Sequence, residues 1–465
     1  MNLESDILEY LVEREDFLKI LAKKIWDNPE LPLEEHYASK IIKQELQKEN
    51  FIINDNIANI PTSFIGTWGK EGPVIGVLGE YDALPDLSQS ICTEKKPVKE
   101  GAPGHGCGHD LLGVGSLGAV IALKKILERN NIKGTIKFFG CPAEETLIGK
   151  VLMAKEKVFH NLNLAITWHP KYLNEVWRHS TNAMNSFKIN FYGTSTHEAS
   201  APDKGRSALD AVLLLENGVN LLQRHIMHEV FTHRVITNGG AIPDCTPPFS
   251  QIWYFIRAPI RKEVANVYKK ILEIAKGAAL MTGTRHDVEF ITGTYDYKAN
   301  KVLGDVVFNK LKELGPPRFN KEDDNFAKKL QCTITEQEKE SMINSFGNEL
   351  TMKDIGDPLC KKIVDRKNAK MVVGSTEVGD VSYITPTIQF TTCCMPLGVG
   401  LHTWQGTASF GSDIGMKGMI LASKVIALTA LECIKNPNII KDSYKEFKMM
   451  TKGEDYISPL SDIYQ

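Results

Sequence analysis

TIKFFGCPAEET, residues 135–146, is the stretch that best indicates how this chain folds. Its apolar run is followed at once by a turn and by two adjacent carboxylates, Glu144 and Glu145. A short apolar run of this kind predicts a strand buried on both faces, as in a parallel sheet. Two adjacent side chains at a strand end point in different directions, so one carboxylate can bind a metal ion while the other handles a proton.

Strands and helices alternate on both sides of this stretch. The run PVIGVLGEYDALP, residues 73–85, predicts another buried strand that ends in charged residues and proline. Helices are predicted at about 111–129 and 149–159, and a further strand at about 162–168. This alternation predicts an α/β fold with a doubly wound, largely parallel sheet.

The pattern changes near residue 182, where SFKINFYG alternates apolar and polar side chains as a half-buried strand does. The predicted order from there is βαββαβ, which is a ferredoxin-like α+β unit. We therefore predict a discontinuous catalytic domain, residues 1–181 and 298–465, and an inserted domain, residues 182–297. Two helices would cover one face of the inserted sheet, and an edge strand or the helical face would be free to form a homodimer. We interpret the charged stretch 318–345 as a solvated helical excursion or lid.

The composition excludes several classes of protein. The chain has 465 residues, a net charge of −2 and a pI near 6.7, which favours neither nucleic acid nor an anionic membrane surface. The N-terminus lacks the basic and apolar regions of an export signal, and no apolar run is long enough to predict a membrane span. Nine irregularly spaced cysteines without an export signal predict reduced thiols and a cytoplasmic protein.

Polar residues recur where the predicted strands end. Because ligands gather at the carboxyl ends of strands in an open α/β sheet, we expect these side chains to lie close together. Cysteine, histidine and glutamate in such positions are the layout of a metal-dependent hydrolase. The residues that follow strands are Asp82, Glu144, Glu145, His169 and His402.

A glycine-rich segment, GHGCGHD at residues 104–110, adds Cys107 and His109 just before a predicted helix. The N-terminus of a helix favours a thiolate, and thiolate, imidazole and carboxylate together form a zinc-like ligand set. A redox role for Cys107 is the alternative, and it is disfavoured because no second cysteine is near in sequence. The stretch GVGSLG, residues 113–118, matches a dinucleotide-binding pattern, but no strand precedes it directly. Its glycines are better explained by close packing of the helix on the sheet.

Seven stretches in order resemble the metallopeptidase family of aminoacylases, desuccinylases and indoleacetyl-amino-acid hydrolases. The likeness covers nearly the whole chain. The stretches are GEYDALP (79–85), GHGCGHDLLG (104–113), GCPAEET (140–146), ITWHP (166–170), GTSTHEASAP (193–202), STEVGDVSYITPT (375–387) and HTWQ (402–405).

This resemblance implies a role for each candidate residue. Glu144 takes the position of the general base, and Asp82 that of an acid which orients the metal ligands. His197 matches a histidine that similar proteins present to the active site of a dimer partner. The family's ligands for two divalent cations, Zn²⁺ or Mn²⁺, fall on Cys107, His109, Glu145, His169 and His402.

Three residues are weaker candidates for substrate contacts. Asp244 stands where the family commonly has asparagine, and an acid there would repel a substrate carbonyl or carboxylate. Arg257 would pair with a substrate carboxylate or serve an internal ion pair. Trp404 would stack on an aromatic acyl group or be a structural tryptophan.

The function implied is hydrolysis of the amide bond of small N-acyl amino acids, with p-aminobenzoyl-glutamate as the favoured substrate. A dipeptidase or a broad aminoacylase would use the same site. A non-catalytic binding subunit is the rival from another class, and it is disfavoured because the base and all five ligand positions are filled. A second, homologous subunit is a possible partner.

Overall fold

The computed structural model describes residues 2–345, 356, 358–366 and 371–461. The chain forms two compact units. The larger unit comprises Met1–His179, Lys298–Lys370 and Val381–Tyr456, and the smaller unit comprises Ser180–Tyr297, Met371–Asp380 and Ile457–Gln465.

The strands alternate with helices in the larger unit, as strand–helix alternation in the sequence predicts. In chain order the strands are β1 (Ile52–Asp55), β2 (Phe64–Trp68), β3 (Val74–Glu80), β4 (Thr135–Cys141), β5 (Leu164–Lys171), β6 (Asn174–Val176), β7 (Ala183–Tyr192), β8 (Phe231–Asn238), β9 (Phe249–Ala258), β10 (Arg285–Thr294), β11 (Ile363–Val364) and β12 (Thr387–Cys393). The helices are α1 (Leu3–Glu13), α2 (Glu15–Trp26), α3 (His36–Lys48), α4 (His109–Arg129), α5 (Gly149–Lys155), α6 (Ala208–Leu222), α7 (Arg261–Thr282), α8 (Lys301–Leu314), α9 (Lys321–Gln331), α10 (Glu336–Ser345), α11 (Val378–Ser382), α12 (Trp404–Phe410), α13 (Asp413–Lys435) and α14 (Pro437–Met450).

The sheet of the larger unit has the order β1-β2-β4-β3-β5-β12-β6-β11. Its centre, β4-β3-β5-β12, is parallel, whereas β1 and β2 pair antiparallel to each other and β2 to β4. The central strands are buried on both faces and therefore read as continuous apolar runs. The predicted α/β fold with a largely parallel sheet is confirmed. The parallel pairing also brings the carboxyl ends of β3, β4, β5 and β12 to one edge.

The core of the larger unit is built around α4 and α13, which are buried along most of their length. The glycines of GVGSLG allow this packing: a Cβ atom on Gly113 would lie 2.7 Å from the Glu80 carbonyl, and one on Gly115 would lie 2.8 Å from Trp168. Helix α13 is long and apolar enough to cross a membrane, which the sequence analysis did not recognise. However, 89% of its apolar window is buried within the protein, as in a core helix.

The smaller unit contains a four-stranded antiparallel sheet in the order β10-β7-β9-β8. Helices α6 and α7 pack on one face of it, so that every second residue of β9 is buried. The chain order β7-α6-β8-β9-α7-β10 is the predicted βαββαβ unit. Edge strand β8 leaves Val235 and Ile236 exposed.

Two short segments that the sequence assigns to the catalytic domain lie in the smaller unit, 371–380 and 457–465. The first is held by backbone pairing, because Asn182 donates its N–H to Gly374 and Val372 donates to Ser180. In the second, the carbonyl of Ile457 accepts a hydrogen bond from the Tyr295 hydroxyl. Such long-range pairings leave no local signal in the sequence. The assignment of a catalytic and a dimer-forming role to the two domains stays a prediction.

Candidate metal centre

The carboxyl ends of β3, β4 and β5 deliver the polar residues of the candidate site. Glu80 ends β3 and is paired in register with Cys141, the last residue of β4. Asp82 follows β3 by two residues, and a short 3₁₀ turn, Glu144–Thr146, follows β4. His169 lies near the end of β5. The side chains meet because the three strands are parallel neighbours.

Cys107 and His109 enter the site from the loop that precedes α4. Gly108 between them has φ of 78°, a left-handed conformation that glycine adopts without strain. A Cβ atom at this position would also lie 2.6 Å from the ring of Pro170. The glycine therefore both permits the turn and lets the loop approach the end of β5. Cys107 Sγ consequently lies 3.5 Å from His169 Nε2.

His402 is contributed by the loop between β12 and α12. Its φ of 60° is unusual for a residue other than glycine, and such backbone conformations concentrate at functional sites. Its N–H donates to the Gly106 carbonyl at 2.9 Å, which ties this loop to the cysteine loop. Thr403 then caps α12 by accepting a hydrogen bond from the Gly406 N–H. His402 Nε2 lies 3.3 Å from Glu145 Oε2.

Three groups of potential ligand atoms result, and within each group the atoms lie within 4.8 Å of one another. The groups share members, so they form one continuous site. Each of the five residues implied as ligands belongs to a group, and Glu144 lies in a group with His109. The groups are Cys107, His109 and His169; Cys107, Glu145 and His402; and Glu80, His109 and Glu144.

Asp82 supports two of these side chains. Its Oδ1 lies 2.8 Å from His109 Nδ1, and its Oδ2 accepts the Glu145 N–H at 2.9 Å. The other ring nitrogen of His109 and Oε1 of Glu145 are buried without a hydrogen-bond partner among the described residues. Buried polar atoms are rarely left unsatisfied. Two such atoms on one imidazole and one carboxylate fit a site that receives a cation.

The two adjacent glutamates have different electrostatic environments. Burial, reinforced by the charge of Glu80, raises the pKa of Glu144 well above its ordinary value. Burial also acts on Glu145, but a hydrogen bond with His402 and the charge of His109 outweigh it and lower the pKa of Glu145. The hydrogen bonds with Cys107 and Glu145 raise the pKa of His402 to about 10. Environments that push paired carboxyl groups apart are typical of sites that divide acid–base and ligand roles.

The sequence analysis missed two buried residues at this edge, Glu80 and Lys150. Glu80 Oε2 lies 3.4 Å from His109 Nε2, and its Oε1 lies 2.8 Å from Lys150 Nζ. Glu80 stands in the stretch GEYDALP, so its position at the end of β3 was a usable signal. Lys150 had no such signal, because lysines in a helix are usually exposed and its burial depends on the tertiary fold.

Glu35 is a further residue that the sequence did not single out, and it holds the turn before the glutamate pair. Its Oε1 accepts the N–H groups of Ala143 and Leu33, both at 2.8 Å, and its Oε2 accepts the Thr62 hydroxyl at 2.8 Å. Ala143 has φ of 57°, so this backbone needs such support. Burial and the nearby charge of Asp82 raise the pKa of Glu35 to about 7.

Four of the predicted residues lie outside these groups. His197 is exposed in the smaller unit, where its backbone pairs with Cys245. Asp244 is exposed in the same unit, and its carbonyl accepts the Glu198 N–H at 3.0 Å. Arg257 is partly buried on β9, and Trp404 is the partly buried first residue of α12. The roles of all four residues stay predictions.

Comparisons with known proteins agree with this geometry. The model of peptidase family M20/M25/M40 matches residues 76–356, more than half of the chain. The chain belongs to the M20/M25/M40 peptidase family. A subunit of the p-aminobenzoyl-glutamate hydrolase of Escherichia coli (strain K12) is 35% identical over 95% of this chain and 94% of that protein. The Xaa-Arg dipeptidase of Mus musculus is 27% identical over 97% of this chain and 93% of that protein.

Solved structures show the same fold across nearly the whole chain. An aminobenzoyl-glutamate utilization protein from Klebsiella pneumoniae has a TM-score of 0.63 at 13% identity, with 93% of this chain and 98% of that chain covered. A dinuclear metal-binding peptidase of the M20 family from Bacillus subtilis has a TM-score of 0.59 at 17% identity, with 90% and 98% covered. The predictions of an M20-type metallopeptidase fold and of an enzyme that hydrolyses amide bonds are confirmed.

Proposed function

We propose that this enzyme hydrolyses the amide bond of N-acyl amino acids and that p-aminobenzoyl-glutamate is its substrate. The observation that carries the proposal is the continuous site of thiolate, imidazole and carboxylate groups at the carboxyl ends of the central strands. The substrate is inferred from the relative in Escherichia coli, whose name gives that activity and whose length this chain matches almost completely.

The site fits two divalent cations held by Cys107, His109, Glu145, His169 and His402. The unsatisfied atoms on His109 and Glu145 support this assignment, because each has a lone pair to offer a cation. The thiolate ligand favours Zn²⁺ over Mn²⁺. When bound, a pair of divalent cations supplies an activated water molecule and polarises a substrate carbonyl.

The protein's own residues then move the protons. Glu144 accepts a proton from the attacking water and delivers it to the amide nitrogen as the C–N bond breaks. This second transfer is needed because an unprotonated amine is a poor leaving group. Asp82 keeps the His109 ring in position through its 2.8 Å hydrogen bond. Glu35 holds the backbone that precedes Glu144.

The inserted domain completes the proposed enzyme. We propose that it forms a homodimer and that His197 donates a hydrogen bond to the tetrahedral oxyanion in the active site of the partner. Arg257, Asp244 and Trp404 would contact the substrate. Since the relative in Escherichia coli is named as one subunit of a hydrolase, a second, homologous subunit is a candidate partner as well. We place the protein in the cytoplasm.

A chelation experiment tests the metal dependence. Purified protein is stripped with a chelator, its metal content is measured, and release of p-aminobenzoate from p-aminobenzoyl-glutamate is followed before and after addition of Zn²⁺ or Mn²⁺. We expect stripping to abolish hydrolysis and one of the two cations to restore it. Full activity in metal-free protein would refute the mechanism.

A dipeptidase is the second candidate, because the mouse relative, matched over 93% of its length, is an Xaa-Arg dipeptidase. The same metal-loaded protein is therefore assayed with dipeptides that carry C-terminal arginine. A higher kcat/KM for these dipeptides than for p-aminobenzoyl-glutamate would favour the dipeptidase over the proposed activity.

A further inference from the structure

A lysine with no counter-charge lies next to the candidate metal centre. Lys171 is the last residue of β5, two positions after His169. Its ammonium lies 3.6 Å from the centre of the Trp177 ring. Within the described part of the chain, that ammonium makes no hydrogen bond and no ion pair. Its charge interacts electrostatically with Cys107 and with His169, which places it at the edge of the site.

The side chains next to Lys171 are also unsatisfied. The rings of Trp177 and His179 lie 4.5 Å apart, and both residues are almost completely buried, at 5% and 3% exposure. The Trp177 indole nitrogen and both ring nitrogens of His179 lack hydrogen-bond partners among the residues that the structure describes. Buried donors without partners are costly, and native structures keep few of them unless a ligand or water satisfies them.

The one carboxylate in this cluster is already neutralised. Both oxygens of Glu175 are bound by the guanidinium of Arg366, each at 2.6 Å. Such a bidentate pair is the strongest form of the arginine–carboxylate contact, so Glu175 is not free to compensate Lys171. The cluster therefore has one uncompensated positive charge, an unused indole N–H and an unused imidazole. That combination fits a bound anion.

We propose that Lys171, Trp177 and His179 form a subsite that binds a carboxylate group of the amino-acid half of the substrate. The proposal rests on the proposed function, because substrates of that class carry one or two carboxylates beside the scissile amide. The ammonium and the indole N–H would each donate a hydrogen bond to the carboxylate, and the imidazole would add a third. The subsite lies two residues beyond His169, so a bound carboxylate would also orient the amide.

Substitution of Lys171 combined with matched substrates tests the subsite. Lys171→Met keeps the length of the side chain and removes its charge. The substrates are p-aminobenzoyl-glutamate and its two monoamides, in which either the α- or the γ-carboxylate is a carboxamide. We expect Lys171→Met to lower kcat/KM for the dicarboxylate about 10- to 100-fold, mainly through KM, the scale of one charge-assisted hydrogen bond. For one of the monoamides the same substitution should have no effect, because the group that Lys171 binds is absent.

Lys188→Met is the matched control. Lys188 also places its ammonium over a tryptophan, 5.6 Å from the ring centre of Trp253, but it lies on β7 in the smaller unit. It should leave kcat/KM unchanged for all three substrates. Lys171→Arg should retain part of the selectivity, and Trp177→Phe, which removes only the N–H donor from the ring, should lose about 3- to 10-fold.

Three outcomes would overturn the subsite. They are an unchanged kcat/KM in Lys171→Met, an equal loss for the dicarboxylate and both monoamides, and an equal loss in Lys188→Met. Metal analysis and circular dichroism establish that the variants are folded and loaded. If the wild type cleaves no N-acyl amino acid, the proposed function fails, and calorimetry with L-glutamate decides the subsite separately. Metal-loaded Lys171→Met should then bind glutamate at least about 10-fold more weakly than the wild type, and equal affinity would refute the subsite.

Discussion

The carboxylates of the metal centre and Glu216 in the smaller unit use the same residue type in opposite ways. Glu216 of α6 accepts hydrogen bonds from the Tyr254 hydroxyl of β9 and from Arg234 of β8. It therefore joins a helix to two strands and has no need of a further partner. In the metal centre, by contrast, Glu145 Oε1 and His109 Nε2 are buried and unpaired within the described residues.

The difference shows how a structural polar network can be told from a functional one. A saturated network stabilises and specifies the fold, because each of its members has a partner. A network with unpaired atoms is costly as it stands and gains free energy when a ligand supplies the missing partner. Burial and residue type alone do not distinguish the two clusters, whereas the count of unsatisfied atoms does.

Glu144→Gln should have the largest effect on the catalytic side of this comparison. We expect turnover to fall by about 10²- to 10⁴-fold, the scale of general acid–base catalysis, while the metal content stays unchanged. Glu145→Gln should instead reduce the metal content, because it removes a ligand. Steady-state kinetics and elemental analysis of both variants check this division, and equal metal loss in the two would contradict it.

His197→Ala tests the proposed dimer. Removal of one oxyanion donor should lower kcat by about 10²- to 10³-fold without a change in metal content. When His197→Ala and Glu144→Gln are co-expressed, part of the activity should return, because one hybrid site has both an intact base and an intact histidine. No recovery in heterodimers whose subunit exchange has been verified would show that His197 does not act in trans.

Asp82→Asn should have a smaller effect, on metal affinity. An asparagine keeps the shape but not the negative charge that faces His109 and the Glu145 N–H. Loss of such a supporting residue costs about 10- to 100-fold in metal affinity. Competition with a chromogenic chelator measures it, and an unchanged affinity would mean that the ligands hold their positions without Asp82.

Glu216→Gln provides the complementary case in the saturated network. We expect kcat and metal content to be unchanged and the free energy of unfolding to fall by about 1–3 kcal/mol, because two hydrogen bonds to a charged group are weakened. Urea denaturation and the standard assay measure both quantities. A large loss of activity at unchanged stability would remove the distinction between the two clusters.

The sequence predicted the parts of the site that leave a local signal. Glu144, Glu145 and His169 follow apolar runs directly, and Cys107 and His109 lie in a glycine-rich segment whose turn is decided locally. Lys150 and Glu35 could not be identified in this way, because their burial and their partners come from segments that are distant in sequence. The same holds for Trp177 and His179, whose significance lies in unsatisfied atoms that only the fold reveals.

The fold was predictable for a related reason. Strand–helix alternation reports the α/β class, because burial on both faces imposes a continuous apolar run on each central strand. The assignment of segments 371–380 and 457–465 depended on backbone pairings across more than 100 residues, which no periodicity encodes. Helix α13 shows another limit, since composition alone does not distinguish a core helix from a membrane-spanning one.

The position of β12 in the sheet has a consequence for the order of events during protein synthesis. Strands β5 and β6 are separated by only Tyr172 and Leu173 in the chain, yet β12 lies between them in the sheet. A nascent chain emerges from its N-terminus and folds in that order, so a gap remains in its sheet until residues 387–393 have left the ribosome. His402 emerges later still. The enzyme therefore cannot acquire its complete set of proposed metal ligands, or its activity, before almost all of the chain has been made.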